Sequence, residues 1–169
     1  MIITQDDITA LCRQCSTDED AANNMIQEAE TLDILPAIGT SLYNAITAAP
    51  TDFKDLLDGC TFYNEKGLQM SHQGLKKSIA YYAASRIIRS SNGVMTKYGY
   101  VVKYNDSSTP ADPQRLVNDS NYLREVANQL FEQTKRFLNS VADTATYKDL
   151  IIRTPGEQSV FINCDIIGD

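Results

Sequence analysis

The chain has 169 residues, 43% hydrophobic and 22% charged, with a formal charge of -7 and a pI near 4.7. That length buries a sizeable core in one domain without staples, and this apolar content excludes a wholly disordered chain. The acidic balance excludes a surface that grips nucleic acid by neutralising phosphates, but suits a wall along which DNA slides without sticking.

The first residues lack a basic leader region, and no apolar run approaches the roughly 20 residues that span a bilayer, so synthesis and use in a cytosol are expected. Thr4 reads as an N-cap with Asp6 and Asp7 in the first helical turn, followed by the stripe Ile8, Leu11 and Cys12. Ser16 or Thr17 is expected to cap a second helix. Asp18, Glu19 and Asp20 then fall in its first turn, where capping explains them better than a cation site does. That helix runs to about Thr31 with Ala22, Met25, Ile26 and Ala29 inward. Pro36 suits the first turn of a new helix, Gly39 interrupts, and Thr40 and Ser41 precede a helix over 42–48 that ends at Pro50. A short helix over 52–57 stops at Gly59, and 60–70 reads as a loop hinged at Gly67.

Ser71 is expected to cap the most apolar helix, 74–90. It carries Leu75, Ile79, Tyr82, Ala83 and Ile87 on one face, with Ala80, Ala84 and Ile88 beside them, which predicts a central position. Residues 96–104 are rich in β-formers and 105–110 are turn-forming, an extended arm or hairpin between two helices. One long helix follows over 113–141, with Leu116, Leu123, Val126, Leu130, Phe137 and Val141 at helical spacing. Two β-like runs, 150–152 and 160–162, flank the turn signal Thr154-Pro155-Gly156. The fold class is therefore mainly α: a small helical bundle with a long C-terminal helix, an extended β-like arm at about 96–110 and a β-prone tail. The helical domain spans 1–146 with the arm inserted at 94–111, and 147–169 form an extended C-terminal tail.

Catalytic signatures are sparse. His72 is the single histidine, placed at a helix start where a capping or surface role is commoner than catalysis. Cys12 and Cys15 form a C-x-x-C inside a helical pattern rather than at a strand-to-helix turn. Cys60 and Cys164 stand alone, so four plain thiols are expected rather than a redox pair or a zinc site. Neither a phosphate-binding nor a dinucleotide-binding glycine motif occurs. No catalytic, cofactor-binding or metal-ligating residue is assigned, and no enzyme is expected. Tyrosines interleaved with Lys97 and Lys103 could stack single-stranded bases, yet two lysines in an acidic chain make a poor funnel. Contact between subunits is the better account of the arm and tail, through Tyr98, Tyr100, Val102, Tyr104, Ile151, Phe161 and Ile162. The rival readings are a soluble helical interaction or regulatory module, and a C-x-x-C thiol enzyme or small hydrolase using His72.

The order of these features resembles the head–tail connector (adaptor) proteins of tailed bacteriophages. The resemblance lies in 27–39 (QEAETLDILPAIG) followed by Leu42 and Tyr43, and in 74–86 (GLKKSIAYYAASR). It continues in 98–103 (YGYVVK) with Ser108, Thr109 and Pro110, and in the long helix through Tyr122, Arg124, Phe137 and Leu138. It covers about 20–140 and rests on packing and interface patterns. It implies a structural virion protein of the neck, made in the bacterial host cytoplasm, whose copies form a collar ring, commonly dodecameric, beneath the portal protein. Such a ring extends the DNA channel, retains the packaged genome and docks further tail proteins. DNA passes without specific binding, and neither cofactor nor membrane is involved.

Overall fold

Thr4 stops the entering chain and starts the first helix. The computed structural model describes residues 1–13, 17–64, 66–91, 93–96, 99–102 and 112–151, the two stretches between 93 and 102 by their backbone. The Thr4 hydroxyl accepts from the Asp7 N–H, and the Asp7 carboxylate accepts from the Thr4 N–H at 2.8 Å, a capping box. Helix α1 (Gln5–Leu11) buries Ile8. Asp18, rather than Ser16 or Thr17, caps α2 (Glu19–Ala29), its carboxylate accepting from the Ala21 N–H. One of the acids expected in the first turn is thus the cap, where its charge also meets the helix dipole.

Ala22, Ile26 and Ala29 face inward as their spacing requires. The chain does not break near Thr31. It widens into a π-helical turn, Glu30–Ile34, and continues as α3 (Leu35–Ile38), with Pro36 at the first turn, where a missing N–H costs least. Gly39 ends α3, and α4 (Thr40–Ala48) buries Leu42 and Ile46. A 3-10 turn (Pro50–Phe53) leads into α5 (Lys54–Asp58), which buries Leu56 and Leu57.

The loop expected over 60–70 is a hairpin. Strands β1 (Thr61–Tyr63) and β2 (Gln69–Ser71) pair antiparallel with Phe62 opposite Met70, and the Asn64 side-chain oxygen Oδ1 accepts from the Lys66 and Leu68 N–H groups to shape the turn. Ser71 belongs to β2 and caps nothing. Gly74 is the N-cap of α6 (Leu75–Ser90).

Helix α6 is the axis of the domain. It buries Leu75, Ile79, Ala80, Tyr82, Ala83 and Ala84, and α1, α2, α5 and α7 all pack on it. Asp112 caps α7 (Pro113–Val141) by accepting from the Gln114 N–H. Along α7, Leu123, Ala127, Phe131, Thr134 and Leu138 are buried at steps of three and four. The result is a mainly helical small bundle. No described helix is long and apolar enough to cross a membrane.

Beyond α7 the chain stays coiled. Lys148 N–H donates to the Thr144 carbonyl and Ile151 N–H to that of Tyr147, so Leu150 and Ile151, expected to open a strand, lie in turns, and Ile152 lies outside the described residues. Tyr147 is buried edge-on to Phe53 at 5.5 Å and to Phe137 at 6.3 Å, while Leu150 and Ile151 pack on the same core. The first residues after 146 thus pack on the helical core. Burial of Tyr147 overrides the β-propensity of the residues after it.

Candidate subunit interface

The second hairpin grows from the junction of the two principal helices. Strands β3 (Gly93–Thr96) and β4 (Gly99–Val102) are antiparallel, with Gly93 opposite Val102, Val94 opposite Val101 and Met95 opposite Tyr100. They form a two-stranded sheet in which each strand pairs only with the other among the described residues. An isolated two-stranded ribbon is marginal in water, and its outer edges keep unpaired N–H and C=O groups that can template another strand.

Of the expected contact residues, Tyr100 and Val102 lie on β4. Tyr98, Tyr104, Phe161 and Ile162 lie outside the described residues. Ile151 is half-buried against its own chain's core, where the turn at Tyr147 carries it. Large apolar side chains outside the expected contact set are exposed elsewhere. They are Leu32 on the π turn, Tyr63 and Leu68 on the first hairpin, and Val117 and Tyr122 on α7.

Among the described residues, the arrangement resembling a nucleophile pair is Cys60 with His72. His72 is buried, not on the surface: its ring stacks on Phe137 at 4.4 Å, and its Nε2 lies 3.5 Å from Cys60 Sγ. Nδ1 accepts from the Gly74 N–H, which leaves the proton on Nε2. Burial pushes the imidazole pKa down, against a smaller opposing pull from the Asp55 carbonyl and carboxylate. Burial, followed by the Asp55 charge, pushes the Cys60 thiol up. Both shifts favour the neutral pair, the reverse of what a thiolate nucleophile needs. Cys12 is the C-cap of α1 and packs against the core, whereas Cys15 and Cys164 lie outside the described residues. No group of three metal-ligating side chains occurs among the described residues.

Two buried acids hold the π turn. Glu30 is 1% exposed and accepts from the Ile2 N–H and the Tyr43 hydroxyl, each at 2.6 Å. Asp33 Oδ2 lies 2.6 Å from Arg86 Nη1 and its Oδ1 3.5 Å from Arg124 Nη2, tying the turn to α6 and α7. Asp33 Oδ2 lacks an aligned hydrogen-bond donor, so the Arg86 contact is a charge pair rather than a bidentate fork. Arg86 bridges Asp33 and Glu28.

Residues 34–150 match the model of a family described as a family of unknown function, DUF6712. The chain belongs to the DUF6712 family. The DUF6712 span takes in both hairpins, α6, α7 and the whole aromatic cluster around Phe137, and closes beside Ile151. No curated protein and no solved structure matches the chain.

Proposed function

We propose that this DUF6712 chain is a structural assembly subunit: a head–tail adaptor that forms a ring beneath the portal of a tailed bacteriophage. The ring lies in the virion neck, extends the DNA channel and docks further tail proteins. The observation that carries the reading is the β3–β4 hairpin, set between α6 and α7 in the chain, each strand of which pairs only with the other among the described residues. A neighbouring copy or the portal supplies the missing edge partner and covers exposed side chains such as Leu32 and Tyr122. The resemblance in the early helices, in α6 and in the long α7 supports the same assignment. So does the formal charge of -7, which lets a channel wall pass DNA without holding it. No chemistry is required of the Cys60–His72 pair, which burial keeps neutral.

Replacing residues 93–102 by a short Gly/Ser linker tests this. The helical body is expected to fold with its melting temperature nearly unchanged, since β3 and β4 pack chiefly on each other. The variant should fail to enter the large particle that the parent chain forms with its portal. Particles of parental mass assembled from the variant would refute the reading. A parent chain that binds one soluble protein as a monomer would favour a regulatory module.

A further inference from the structure

An open groove of about 390 Å³ runs between the β1–β2 hairpin and the last turns of α7, remote from the β3–β4 arm in sequence. Its lining joins the apolar Leu68 and Met70 to Asn139, Ser140 and the cations Lys66 and Arg136. Leu68 is 61% exposed, whereas Phe62 on the same hairpin is buried. Lys66 and Arg136 form no ion pair among the described residues. A volume in the range that holds a small ligand accommodates one or two large apolar side chains. The two cations select a segment that brings carboxylates with them.

The chain contains such a segment beyond the described residues. Residues 157–169 carry Glu157, Asp165 and Asp169 with no Lys or Arg, around Val160, Phe161, Ile162, Ile166 and Ile167. We infer that the groove receives residues 157–169 of a neighbouring copy. Phe161 or Ile162 lies over Leu68 and Met70, and the acids lie toward Lys66 and Arg136. The inference rests on the assembly reading, because its occupant comes from a second copy. In a ring this contact links each subunit to the next through a surface the arm does not use.

The test uses the full chain with Phe161 replaced by photoreactive benzoylphenylalanine, prepared as an equal mixture of isotopically light and heavy protein. Irradiation should join residue 161 to peptides containing Leu68 or Asn139, with light–heavy pairs among the products. Lys66→Glu with Arg136→Glu should cut the yield about tenfold, and adding Asp165→Lys and Asp169→Lys should restore it. Both cations are exposed, so the melting temperature should not move. Crosslinks confined to one isotope overturn the neighbouring-copy assignment. Crosslinks elsewhere, or none, overturn the groove. Particle mass on the same samples separates the two claims. A ring without groove crosslinks removes only this inference, whereas a monomer crosslinked within its own chain removes the assembly reading as well.

Discussion

Gly59 and Gly74 cross back to back. A methyl group built on either would lie 2.8 Å from the backbone nitrogen of the other, and both residues have positive φ, 92° and 87°. This crossing closes the β1–β2 hairpin at its base and sets the start of α6 against the end of α5. A side chain at either site meets backbone rather than a movable side chain, and the conformation itself costs about 1–3 kcal/mol for a non-glycine residue. Gly59→Ala and Gly74→Ala should each lower the melting temperature by roughly 5–10 °C, at ~2–4 °C per kcal/mol for a chain of this size. Gly67 also has positive φ, at 73°, but nothing lies within 4 Å of an added methyl, so Gly67→Ala should cost only about 1 kcal/mol. Thermal melts of the three variants side by side check this.

His72 gives the protein an acid-sensitive point. Its folded-state pKa lies below the usual 6.5, so in acid the unfolded chain binds a proton that the folded chain refuses. More protons on the unfolded state mean stability that rises with pH, present in full above 6.5 and lost as pH falls toward the folded pKa. Because the chain has a single histidine, its imidazole resonances can be followed without assignment. They should titrate below 6.5 in the folded protein and return to that value in urea. A folded-state midpoint at or above 6.5 would contradict the buried, neutral assignment.

The alkaline limb has the opposite sign. Tyr43, Tyr82 and Tyr147 are each pushed up to about 12, mainly by burial, with nearby carboxylates adding to it. Between pH 10 and 12 the unfolded phenols ionise while the folded ones do not, so the folded state holds more protons and stability falls as pH rises. Urea unfolding should show this decline, and Tyr147→Phe should make it shallower.

Glu30 is the buried acid most exposed to a simple test. Glu30→Ala leaves the Ile2 N–H and the Tyr43 hydroxyl without their acceptor, at about 1–3 kcal/mol for each group left unpaired. Tyr43→Phe removes one of those bonds with its donor and should cost less than Glu30→Ala. Equal losses in the two variants, measured by denaturant unfolding, would show that Glu30 does not bind both groups.

The long helices were legible because their apolar residues recur at helical spacing over many turns: 113–141 was read with the bounds it has, and α6 differs by one residue. The β1–β2 hairpin was not, since three-residue strands are too short for an alternating pattern to register. The strand expected at Leu150 failed for a tertiary reason, the burial of Tyr147 between Phe53 and Phe137, which no local window contains. Glu30 carried a signal that went unused, an acid four residues after Ile26 on the apolar stripe of α2. The pairing of Asp33 with Arg86 and Arg124 joins residues distant in sequence, and nothing local announces it. The same holds for the stacking of His72 on Phe137.

Native mass spectrometry of the chain co-expressed with the portal protein proposed as its partner decides whether the chain assembles. A particle holding many copies of the chain in a closed ring is expected. Within it, backbone amides of β3 and β4 that exchange rapidly in the free chain should become protected. A chain that remains monomeric or dimeric beside an assembled portal, with those amides equally exposed in both samples, would contradict the assembly reading.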